Sequence, residues 1–270
     1  MTAKLASIFL VMSTVTVLIA LFLTPLKIVD KSFATVQDNV NASTDQFQNS
    51  SAKSIFETHR MVLGNNIKNL VILIPNEGHH GSQTDEDRFI DQPFIPQNPA
   101  LNEGTNVIWL NGDVGHEHNL VVTNNSTGET VYESGSFPEF EVRSLVVNET
   151  GNYHYADTED YEEGFVMTGN LEVVGQTQTL SSSTSSSSNT PSSADTVGVL
   201  MVPTQDIQAY TTDLENRGFN IDSTYNFKDL RGGQSGTGDE QTLIVWTSAG
   251  MDLSNMAANL QEFSSGLPYS

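Results

Sequence analysis

Apolar and polar positions change character several times along the chain, and each change predicts a different element. Residues 5–26 (LASIFLVMSTVTVLIALFLTPL) carry no charge over about 20 positions, the length a helix needs to cross a bilayer core. Lys4 precedes this run and Lys27 and Lys31 follow it, so the positive flanks leave its orientation open. A cleaved signal peptide begins similarly. The length of the run and the lack of a clear A-x-A site after it favour a retained anchor, with everything after Lys27 outside the cytoplasm. Residues 27–65 are polar; Ile55, Phe56, Val62 and Leu63 fall near helical spacing and Gly64 offers a stop, which predicts a partly helical stalk.

From 66 to 175 the pattern becomes short runs of β-branched, aliphatic and aromatic residues cut by Gly, Asn, Asp and Pro. That is the signature of an all-β sandwich, with strands expected at 70–75, 100–101, 106–110, 119–122, 130–133, 141–146, 151–155 and 169–174. Residues 176–194 form a Ser/Thr-rich linker with almost nothing to bury. Beyond it, residues 195–270 read as strand 197–202, helix 204–217, strands 220–227 and 242–247, and helix 253–263. The order β-α-β-β-α predicts a small ferredoxin-like α/β module. The fold class is thus mainly β, with an N-terminal transmembrane helix and this C-terminal module.

Composition narrows the chemistry. Thirty-three Asp and Glu against 11 Lys and Arg give 270 residues a formal charge of −22, which repels nucleic-acid phosphates and anionic headgroups and leaves cationic partners. The absence of cysteine removes disulfides, thiolate catalysis, iron–sulfur clusters and any copper–thiolate centre. N-x-S/T triplets such as those at Asn41, Asn49, Asn125 and Asn148 are compatible with surface glycosylation, although such triplets arise by chance in a Ser/Thr/Asn-rich chain. Neither the Gly-rich stretch 231–238 nor Ser248 supplies a phosphate loop or a nucleophile elbow, and the C-terminal module has no histidine for a hydrolytic triad. The stretch 231–238 reads as a hairpin connection.

One constellation carries a family resemblance. Phe94-x-Pro96, Gly104-x-x-Val107-x-Trp109-x-Asn111-x-Asp113, His118-Asn119, Ser134-Gly135, Gly151-x-Tyr153-x-Tyr155 and Met167-x-Gly169 follow one another in an order and spacing that resemble the plastocyanin/azurin family, the cupredoxins. The resemblance implies a Greek-key β-sandwich with a copper site at one end, and it carries His118 and Met167 onto ligand positions. It also places Asp157 where the family has its thiolate and Asp160 where it has its second histidine. Blue-copper electron transfer of the plastocyanin kind is therefore not expected.

Imidazole and carboxylate still suit Cu(II), or alternatively Zn(II), without a thiolate. His116 and His118 are two apart, which on an extended segment puts both rings on the side that also carries Leu120 and Val122. His79 and His80 follow the first sandwich strand. The expected shell is His116, His118 and one of His79 or His80, completed by Asp157, Asp160 or Met167. The contrasting reading makes the histidines loop residues, Met167 a core filler and the acidic run 157–163 a solvated loop; His154, between Tyr153 and Tyr155, is expected to point away from the face they share.

The resulting expectation is a membrane-anchored, extracytoplasmic copper-binding protein for copper capture, delivery or non-blue redox work, with a membrane oxidase or surface protein as partner. An anchored, acidic, cysteine-free cupredoxin with a Ser/Thr tether resembles cupredoxin-family proteins of ammonia-oxidising archaea. The alternative is a metal-free interaction module at a cell surface. The H-x-H pair is also similar to the copper-binding strand of methane and ammonia monooxygenase B subunits, but six histidines scarcely furnish a further copper cluster.

Overall fold

A computed structural model describes residues 51–76, 92–159, 166–175, 195–228 and 240–267. The expected anchor 5–26, most of the stalk, the linker 176–194, the connection 231–238 and three candidate ligands, His79, His80 and Asp160, lie outside these residues. Among the described residues no helix is long and apolar enough to cross a membrane.

The strands from residue 69 onward arise where the sequence pattern puts them, and one more, β1, forms within the expected stalk. In chain order they are β1 (Arg60–Val62), β2 (Asn69–Ile74), β3 (Asn98–Asn102), β4 (Thr105–Asn111), β5 (His118–Asn124), β6 (Thr130–Phe137), β7 (Val142–Val147), β8 (Gly151–Asp157), β9 (Thr168–Val174), β10 (Thr196–Pro203), β11 (Asn220–Lys228) and β12 (Glu240–Ser248). Helices α1 (Ala52–Thr58), α2 (Ile207–Asn216) and α3 (Leu253–Ser265) complete the set. Two mixed sheets result, in the orders β1-β3-β9-β8-β5-β6 and β11-β12-β10-β2-β4-β7.

Burial follows strand patterning. Alternating β5, β8 and β9 bury one face, with Leu120, Val122, Tyr153, Tyr155, Leu171 and Val173 inside. Strands β2, β4, β10 and β12 are buried almost without interruption, as strands covered on both faces require. The aromatic centre is Trp109, with Tyr155 edge-on at 5.7 Å and Phe94 against Tyr155 at 4.9 Å between ring centroids.

The C-terminal region corrects the sequence expectation. Its β-α-β-β-α elements form at the expected places, but they do not make a ferredoxin-like module of their own. Strand β10 pairs in parallel with β2, Thr196–Gly198 against Asn69–Val71, and the β10–β12 and β11–β12 pairs then extend the sandwich sheet by three strands. The physical reason is burial: isolated β2 would expose an apolar edge, and β10 covers it with a strand of the same kind. Gly198 permits the contact, since a Cβ there would meet the Trp246 ring and stand 2.8 Å from Val71 Cβ. Helix α3 buries Met256, Leu260 and Phe263, and Phe263 meets Tyr210 of α2 edge-on at 6.0 Å.

The end of the expected stalk is likewise folded. Ser51 caps α1 by accepting the Ser54 amide, and His59 ends it in the left-handed region at φ 58. Ala52 and Ile55 are buried, and Phe56 lies 4.6 Å from Phe227 and 5.2 Å from Tyr225 between centroids. Strand β1 then pairs in parallel with β3, so this short segment touches both sheets.

Candidate functional site

One end of the sandwich is built around the turn between β4 and β5. Asn111, fully buried, accepts the Asp113 amide at 2.8 Å and donates to the carbonyls of His116 (2.9 Å) and Phe137 (3.3 Å). Asn76 accepts from Val114 at 3.1 Å and Glu139 from Gly115 at 2.6 Å. Gly115 turns the chain at φ 81, a conformation that favours glycine. These contacts fix a polar turn whose buried member, Asp113, faces inward.

His118 opens β5 on the same buried face as Leu120 and Val122, and none of its surface reaches solvent. Its Nδ1 lies 2.5 Å from Asp157 Oδ2, and its Nε2 stands 3.4 Å from Asp113 Oδ2. The second contact is an ion pair, longer than a charge-assisted hydrogen bond. Both carboxylates are buried too. Asp157 is held in turn: its Oδ1 accepts the amides of Asn119 (2.9 Å) and Glu159 (3.1 Å), and its own amide donates to the Met167 carbonyl at 2.9 Å.

Burial pushes the His118 pKa down, but the two carboxylates outweigh it and raise the pKa from 6.5 to about 9. At neutral pH the ring is therefore an imidazolium between two acids. The tilted Phe137 ring lies 6.3 Å from it, and the Arg143 guanidinium covers Phe137 at 5.2 Å.

The structure brings together three of the residues selected from the sequence, His118, Asp157 and Met167. Met167 is fully buried in the apolar core, and its backbone makes the bond to Asp157. His116 sits in the turn, half-buried, with its amide donating to the Asp113 carbonyl at 3.3 Å. His154 is half-buried between two buried tyrosines, as the strand alternation requires. Asp113 was legible only as the end of an Asn-Gly-Asp turn, and nothing in that triplet announces a buried carboxylate.

The donor chemistry can be compared with what copper or zinc needs. An ion bonded to both Nδ1 and Oδ2 at ~2.0–2.2 Å would hold those atoms roughly 3 Å apart or more, whereas they stand 2.5 Å apart, within direct hydrogen-bond distance. Among the described residues no group of three or more His, Asp or Glu is placed to hold a metal ion. As placed, the described His118, Asp157 and Asp113 form an ion-paired cluster and do not by themselves make such a group.

The sequence matches no protein-family model and no curated protein. Solved structures similar to this chain include cupredoxins. A purple cupredoxin from Nitrosopumilus maritimus aligns at 20% identity over 39% of this chain and 99% of its own, with a TM-score of 0.30. Rusticyanin from Thiobacillus ferrooxidans aligns at 13% identity over 49% and 100%, with a TM-score of 0.31. The copper-containing nitrite reductase from Thermus scotoductus aligns at 14% identity over 44% of this chain and 28% of its own, with a TM-score of 0.32.

Proposed function

We propose that this chain is a metal-independent interaction module, carried on a membrane anchor outside the cytoplasm, in which a protonated histidine stands where the resembling family holds copper. The observation that carries this reading is His118, wholly buried, with a carboxylate facing each ring nitrogen. A buried cation bonded to Asp157 and ion-paired with Asp113 ties the β4–β5 turn to the end of β8 without any ligand. The formal charge of −22 favours a basic partner surface. The test is calorimetric: the purified protein, titrated with cupric and then zinc salt at pH 7, is expected to give no saturable heat. Stoichiometric cupric binding that disappears in His118→Ala would overturn the reading.

A second reading, copper capture or delivery, is favoured by two contacts. Asp113 stands behind Nε2 as the outer partner of a ligating imidazole does, and the Met167 carbonyl bond draws that residue beside Asp157. Under this reading Nδ1 of His118 and Asp157 hold the ion, with His116 and the candidates His79, His80 and Asp160 completing the shell. Nδ1 must first lose a proton whose pKa is about 9, which lowers apparent affinity about 100-fold at pH 7. Cupric affinity that climbs tenfold per pH unit up to about 9 would select it over the first.

A further inference from the structure

Three of the N-x-S/T triplets fall on described residues, beginning at Asn124, Asn125 and Asn148, and the surroundings of Asn125 and Asn148 differ from those of Asn124. Asn125 lies in the turn between β5 and β6, and Asn148 in the turn between β7 and β8. Both are exposed, as are the hydroxyl residues two positions on, Thr127 and Thr150. Among the described residues no group hydrogen-bonds the side-chain amide of either one. By contrast Asn124 accepts the amides of Ser126 (2.8 Å) and Thr127 (3.4 Å), and Asn170 donates to Asn98 at 3.0 Å. The two turns adjoin, since the Asn125 amide donates to the Asn152 carbonyl at 2.9 Å.

We propose that Asn125 and Asn148 are acceptor sites for N-linked glycans, set side by side at the end of the sandwich opposite His118. The topology fixes that placement: β5 runs from His118 to Asn124, and antiparallel β8 pairs Asn124 with Tyr153 and Leu120 with Asp157. Each Asn Nδ2 is free to form a bond to the anomeric carbon of a lipid-linked, phosphate-activated sugar. The sugar–phosphate bond breaks, the lipid phosphate leaves with the electron pair, and the amide proton passes to a base of the transferase. The hydroxyl at the second position after the asparagine is the feature the transferase reads. Sugars on these turns leave the core and the His118 end untouched.

The proposal rests on the extracytoplasmic placement proposed above, and the experiment separates the two. The full chain is isolated from the membranes of its source cells, digested, and its peptides weighed, while intact cells are treated with protease in parallel. Peptides containing Asn125 and Asn148 are expected to carry sugar masses. Fragmentation is expected to place the first sugar on Asn125 and none on Asn124; Asn125→Gln and Thr127→Ala should each abolish it, and Asn148→Gln and Thr150→Ala the second, with the melting temperature of the unglycosylated Asn125→Gln and Asn148→Gln proteins unchanged. Shaving of the chain from intact cells with both peptides unmodified overturns the glycan assignment alone. Protection from the protease, with unmodified peptides, overturns both.

Discussion

His118 holds a charge in a place where charge is unwelcome, and its neighbours explain why it stays. Its pKa is 6.5 when unfolded and about 9 when folded, so its contribution is complete below pH 6.5 and lost as pH rises through 9. Over that window the loss amounts to about 3 kcal/mol. Urea midpoints measured at pH 6 and pH 10 should therefore fall with pH in the native protein and fall less in His118→Gln; equal slopes would mean the ring is neutral. Asp157→Asn takes the nearer of the two carboxylates from the cation and should cost about 3–5 kcal/mol at pH 7, read from the same unfolding curves. His118 and Asp157 were recognisable in the sequence because motif and strand spacing single them out. Asp113 was not, because polar turns usually face water, and only the side-chain bonds of Asn111 turn this one inward.

Two glycines show how the elements depend on single atoms. A Cβ at Gly169 would strike the Tyr155 ring and lie 2.6 Å from the Gln97 carbonyl, which accepts the Tyr155 hydroxyl at 2.8 Å. At Gly198 it would strike Trp246. Gly169→Ala and Gly198→Ala are each expected to destabilise the protein by about 1–3 kcal/mol through overpacking, measured by thermal or urea unfolding. Midpoints equal to the parent's would show that neither tyrosine nor tryptophan packs as described. The elements themselves were legible: every strand expected between 66 and 175, and the whole β-α-β-β-α order after 195, appears within a few residues of its expected place. What the pattern withheld was pairing. A run such as Val197–Val202 announces a strand covered on both faces, yet it names no neighbour, and a three-residue parallel match to Asn69–Val71 is too short to read from composition.

For the molecule as a whole, that pairing makes the C-terminal strands part of the sandwich core. Strands β2 and β10 share the buried cluster with Val71, Val199 and Trp246. A chain ending at Gly175 is accordingly expected to aggregate or to lose its sharp unfolding transition, because the apolar edge of β2 is left open. Residues 195–270 expressed alone should show weak near-ultraviolet dichroism. Cooperative unfolding of either piece by itself would argue for independent units.

The segment Ser51–Leu63 gives the sandwich a mechanical character. Tension applied to the chain upstream of Ser51 is met first by Ala52, Ile55 and Phe56, seated against the aromatic edge of β11, and next by the three residue pairs of β1 with β3. Neither contact includes His118, Asp113 or Asp157. Under load this strap is expected to detach first, as a fuse does, with the charged triad beyond it still in place.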